Sequence, residues 1–126
     1  MNRAWIAAGL LVLSLGMCIF SYGTLVKSCD EMQQTIKTIK ISAENGDDDT
    51  LQKCAEDLKK QWGKALKFFS AILTHSHFDD IDKSINDIGK SAEENDKKAL
   101  GEQCDEAIYY LEHLKESESF SLKNIF

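Results

Sequence analysis

The sequence predicts an all-α protein: an N-terminal transmembrane helix that continues into a small antiparallel bundle of about four helices. Three observations carry that expectation. Between Arg3 and Lys27, the twenty-three residues Ala4 to Val26 contain no charge, and a helix of that length, rising ~1.5 Å per residue, crosses a ~30 Å hydrocarbon core with some tilt. After Lys27, apolar residues recur in steps of three and four rather than two, the spacing of one helix face. No proline interrupts any of the 126 residues. The organisation read from this is an anchor over 1–26, a helical domain over 27–116, and an apolar tail over 117–126.

The totals narrow the function classes. The chain carries a net charge of −6, and setting aside Arg3 leaves fourteen lysines against twenty-one acids, or −7, beyond the span. Such an excess repels phosphates, so nucleic acid is excluded as an expected partner and anionic headgroups are poor ligands for the domain surface. About 100 residues suffice for a core without metals or disulfides.

The span itself admits two readings. Retention as an anchor is favoured because the uncharged run is long, and because Leu25, Cys29, Met32, Ile36, Ile39 and Ala43 continue it at spacings 4, 3, 4, 3 and 4. Cleavage after Ser21-Tyr22-Gly23, the signal-peptide alternative, would cut into one continuous helix. Trp5 and Tyr22 sit near the two ends, where amphipathic rings prefer the interface. A lipoprotein is disfavoured by the bulky Met17 before Cys18. The short basic leader places the amino terminus in the cytoplasm and the domain outside. Gly9, Gly16 and Gly23 recur every seven residues on one side of the helix. Small residues there allow close helix approach in lipid, so a homodimer seam is the functional reading, beside the bland one that glycine is common in spans.

Helix one is expected to run to about Glu44 and end at Asn45-Gly46, with the glycine in a left-handed cap. Asp47, Asp48 and Asp49 lack the alternating spacing of a calcium loop and suit the positive end of helix two, with Asp49 and Gln52 as a capping box. Helix two carries Leu51, Cys54, Leu58, Trp62, Ala65, Leu66, Phe69, Ile72 and Leu73 on one face, widened by Phe68, and extends to about His75 as the central helix. Helix three starts near Asp79, shows Phe78, Ile81, Ile85, Ile88 and Ala92, and reads as a thinner outer helix. Helix four runs to about Leu114 with Leu100, Cys104, Ala107, Ile108, Leu111 and Leu114 inward. Short loops imply antiparallel neighbours. At an offset of 49, Ile36 meets Ile85, Ile39 meets Ile88, Ser42-Ala43-Glu44 meets Ser91-Ala92-Glu93, and Leu51 meets Leu100. This reads either as two stacked αα-hairpins or as shared amphipathic pattern.

Candidate chemistry is thin. Cys18, Cys29, Cys54 and Cys104 show no metal spacing and read as small buried hydrophobes, with a Cys54–Cys104 disulfide as the alternative in an oxidising compartment. Thr74 to Asp80 spells H-x-H-x-D-D, one residue from the H-x-H-x-D-H zinc motif of metallo-β-lactamase-like hydrolases. His75, His77 and Asp79 could hold zinc with help from His113. The plainer reading places the histidines in the last turn of helix two and the aspartates in the first turn of helix three, each complementing a helix dipole. No nucleophile elbow, phosphate loop or dinucleotide fingerprint is present. The expected catalytic, cofactor and metal sets are therefore empty. After Leu114 a polar linker leads to Phe120, Leu122, Ile125 and Phe126, which would fold back over the bundle end or dock in a partner groove.

The short span, the Trp62 helix, the His75 to Ile81 junction with Ile85 and Ile88, and the closing Leu122-Lys123-Asn124-Ile125-Phe126 together resemble the bacterial family called domain of unknown function 4363. The resemblance implies a small membrane-anchored helical protein of spore-forming Gram-positive bacteria, and it brings no site residues. The expected function is a non-enzymatic interaction or scaffold module at the membrane surface with a protein partner. An extracytoplasmic peptide- or solute-binding domain, recognised by an enclosed pocket, is the alternative, and a metal-dependent hydrolase using His75, His77 and Asp79 comes after it.

Overall fold

A computed structural model describes the backbone of residues 2–70 and 75–125, and the side chains of residues 2–70 and 78–118. Four helices follow one another: α1 Asn2–Asn45, α2 Asp48–Phe69, α3 His75–Glu94 and α4 Lys97–Ile125. α1 packs on α2 and α4, and α3 packs on the same two helices. The bundle is therefore square, with α1 diagonal to α3 and α2 diagonal to α4. No helix is central and none is outer, which corrects the roles expected for helices two and three.

α1 is one unbroken helix with two environments. Its first half stands clear of the bundle: Trp5 is 79% exposed and Phe20 70%. The expected stripe Leu25, Cys29, Met32, Ile36, Ile39 and Ala43 is buried throughout. The same 44 residues thus supply an uncovered apolar rod and one wall of a core.

Both hairpin corners use one device. Gly46 has φ +74° and Asn95 has φ +56°, the left-handed conformation that glycine and asparagine tolerate best. The Asp47 N–H then donates to Ser42 O at 2.9 Å, and the Asp96 N–H donates to Ser91 O at 3.0 Å, closing each helix end in a Schellman turn. Asp47 accepts from the Thr50 N–H, and Asp96 accepts from the Ala99 N–H, each at 3.3 Å. The cap of α2 is consequently Asp47 rather than the expected Asp49. Asp48 and Asp49 occupy the first turn, and Gln52 donates instead to Ala92 O across the bundle at 2.6 Å.

The offset of 49 relates whole hairpins. Buried Cys29, Met32, Ile36, Ile39, Ala43 and Leu51 correspond to buried Phe78, Ile81, Ile85, Ile88, Ala92 and Leu100, and Leu58, Trp62 and Ala65 to Ala107, Leu111 and Leu114. The contacts obey the same relation, since α1 on α4 becomes α3 on α2. The domain is two stacked αα-hairpins around an approximate twofold axis along the bundle.

Other boundaries moved. α2 ends at Phe69, not near His75, and its Ser70 N–H closes on Leu66 O; the expected core positions Ile72 and Leu73 lie outside the described residues. Phe68 does not widen the core face, being 44% exposed. α4 passes through the expected polar linker without a break and stays helical to Ile125. Whether the tail's side chains cover the bundle end lies outside the described residues.

Candidate functional site

The H-x-H-x-D-D segment folds differently from expectation. His75 and His77 open α3, where the helix dipole is positive, so they do not complement a helix C-terminus. Asp79 and Asp80 lie beyond the first turn. Asp82 has a structural role: the Trp62 indole N–H donates to it at 2.8 Å, tying α3 to α2. His113 stacks on Tyr109, with ring planes 7° apart. The side chains of His75 and His77 are outside the described residues, and among those described no three His, Cys, Asp or Glu group as a metal site.

The thiols are separated by the fold. α2 and α4 sit on a diagonal with no Cα pair within 8 Å, whereas a disulfide needs Cα atoms ~4.4–6.8 Å apart. The Cys54–Cys104 bridge is therefore ruled out, and all four cysteines are free. Burial pushes the Cys29 and Cys104 thiols up to about 12, leaving them protonated and inert. Cys54 is only half-buried, so the expectation of a buried hydrophobe fails for it.

Two polar assemblies were not foreseen. Gln33 lies on the buried stripe and donates to Ile108 O at 3.2 Å and to Glu112 at 3.1 Å, while its carbonyl accepts from Lys115 at 3.1 Å. Lys115 also meets Asp30 at 2.7 Å and Glu112 at 2.9 Å. Burial opposes the Lys115 charge, yet its hydrogen bonds to Asp30 and Glu112 hold its pKa above the ordinary lysine value. The bonds from Lys115 and Gln33 hold the Glu112 carboxyl below the ordinary glutamate range. The signal in the sequence was a glutamine beside Met32 on an otherwise apolar face.

The second assembly is a groove of about 490 Å³ between α1 and α2 at the end nearest the uncharged run. Thr24, Ser28 and Glu31 line one side, and Gln61, Lys64 and Phe68 the other. Gln61 Oε1 is buried and accepts no hydrogen bond. Nothing in the sequence marks Gln61, because its neighbours across the groove come from residues thirty or more positions away.

Gly9, Gly16 and Gly23 leave their side of α1 open: a methyl group added at any of them meets nothing within 4 Å. The chain matches the domain of unknown function DUF4363 over residues 19–125. It belongs to that family. The DUF4363 match begins inside the uncharged run and takes in both hairpins and the helical tail. No curated protein and no solved structure matches the chain.

Proposed function

We propose that this DUF4363 protein is a retained single-span membrane protein whose rigid bundle acts as a non-enzymatic interaction module at the membrane surface, amino terminus inside and bundle outside. The observation that carries the reading is the continuity of α1, whose most apolar window has mean hydropathy 2.1 and is 0% buried while the same helix goes on to build the core. An uncovered apolar helix calls for lipid, and a helix shared with a core gains nothing from being cut. On the bundle, Tyr109 is 65% exposed, touches Tyr110 edge-on and stacks on His113. Such an aromatic strip suits a protein partner. The open glycine face at Gly9, Gly16 and Gly23 suits a second copy of the span.

The test uses the full chain in a bacterial membrane. It should resist alkaline extraction and keep its first residues by mass spectrometry. A surface cysteine at Tyr109 should react with an impermeant maleimide in intact cells. Release by alkali, or a new amino terminus after Gly23, overturns the anchor; reaction only after the membrane is opened overturns the orientation. Replacing all three glycines with leucine should abolish a crosslinked dimer.

The unsatisfied Gln61 Oε1 favours a second reading, a solute- or peptide-binding domain using the α1–α2 groove. A ligand that co-purifies with the natural chain and is lost in Gln61→Leu would support it. Identical mass spectra from the two chains would count against it.

A further inference from the structure

α4 outlasts the bundle that it belongs to. At the end of the bundle facing the span, α2 stops at Phe69 and α3 starts at His75, while α4 continues to Ile125. Among the described residues five polar contacts join α4 to α1, and in three of them, Lys40 with Asp105 at 2.8 Å, Gln33 with Glu112 at 3.1 Å, and Asp30 with Lys115 at 2.7 Å, the two residue numbers add to the same total. The other two, from Gln33 to Ile108 O and from Lys115 to the Gln33 carbonyl, fall within about one helical turn of that total, so the helices keep one antiparallel register. Carried forward along the continuing helix, that register sets position 120 level with Leu25, position 122 level with Gly23, and position 125 level with Phe20. These are the last residues of the uncharged run, which ends at Val26. The final two turns of α4 extend about 10 Å along the span, at ~1.5 Å per residue.

A separate observation marks the same level. Thr24 and Ser28 of α1 face Ala65, Phe68 and Phe69 of α2 across one groove, so the last turn of α2 also ends beside the top of the span. There Phe68 is 44% exposed, an aromatic ring left uncovered at the height where the uncharged run ends. The sequence of the last α4 turns suits that height too: Phe120, Leu122 and Ile125 are apolar, and Lys123 is the one charge, on a stem long enough to reach the headgroups.

From this placement we infer that the last two turns of α4 enter the bundle-facing leaflet beside α1, so that the protein holds the membrane at two points. The inference rests on the anchor reading above. Its chemistry is apolar: the acidic bundle does not attract anionic headgroups, and the ligand is the acyl-chain region of a neutral bilayer. A second foothold prevents the bundle from turning about the span, and it explains why the two longest helices are the ones that reach the membrane.

Bromine-labelled lipid tests it. The full chain is reconstituted in phosphatidylcholine vesicles brominated high on the acyl chains and compared with unlabelled vesicles. The natural chain reports on Trp5; Trp5→Phe combined with Phe120→Trp reports on the tail; Trp5→Phe combined with Tyr109→Trp reports on the bundle surface, with buried Trp62 as a common background. The expected result is an approximately twofold loss of emission from position 120, as for Trp5, and no change at position 109. Adding Leu122→Asp and Ile125→Asp should restore the position 120 emission. If Trp5 is quenched while position 120 behaves like position 109, because a second copy or the bundle itself covers the tail, the inference falls and the anchor stands. If Trp5 escapes quenching, both fall.

Discussion

Removing the first part of α1 tests whether the span's helix belongs to the fold. A chain beginning at Lys27 keeps Met32, Ile36 and Ile39, which are 2%, 0% and 0% exposed, whereas one beginning at Ser42 loses them together with Cys29. Full burial of such side chains stabilises by ~1.5–3 kcal/mol each, so the three largest contribute on the order of 5–9 kcal/mol. A small domain has only ~5–15 kcal/mol in all. The shorter chain recovers the entropy of ordering the deleted residues, but the faces of α2 and α4 that α1 covered stay bare, and Lys115 loses Gln33 and Asp30. Urea titration by circular dichroism should show one cooperative transition for the Lys27 chain. The Ser42 chain should show none, and should bind a hydrophobic dye. Cooperative unfolding of the Ser42 chain within ~1 kcal/mol of the longer one would show that the deleted part of α1 is dispensable to the fold.

Four smaller expectations follow from particular contacts. Because the hairpins are equivalent, Asp47→Ala and Asp96→Ala should each cost ~1 kcal/mol by chemical denaturation, and unequal costs would count against the twofold relation. Asn95→Gly, at φ +56°, should raise the unfolding free energy by a few tenths to ~1 kcal/mol in the same titration. Asp82→Ala strands the Trp62 indole N–H and should cost ~1.5–3 kcal/mol, read by the same titration. In the folded chain Ellman's reagent should reach Cys54 well before Cys29 and Cys104, which should react only on unfolding.

Glu112 supplies a pH dependence with a defined sign. Its folded pKa lies below the ordinary value of 4.5, held there first by the bond from Lys115 and then by that from Gln33. The carboxylate's contribution is fully present above 4.5 and is lost as pH falls through the lower folded value. Glu112→Gln should flatten the acid limb of a urea-midpoint profile taken from about pH 7 to about pH 3, and an unchanged limb would mean that the cluster adds nothing.

The helical class, the uncharged run and the buried stripe from Leu25 to Ala43 were legible in composition and periodicity, because 3.6 residues per turn converts spacing directly into a face. The offset of 49 left two stacked hairpins and a shared amphipathic pattern both open, and the matching burial and helix contacts decided for the hairpins. The first corner was legible as well, since Gly46 tolerates the left-handed backbone that it adopts. Which apolar residues at the edge of a face are covered depends on packing between helices. Phe68 and Phe69 are neighbours at the edge of one apolar face, yet Phe68 is 44% exposed and Phe69 3%. Nor could spacing locate the end of α2, where the apolar sequence runs on past Phe69 without proline or glycine. The diagonal that separates Cys54 from Cys104, the bond from Trp62 to Asp82 and the antiparallel register of α4 on α1 all depend on how helices far apart in sequence pack. Periodicity within one helix contains no information about that.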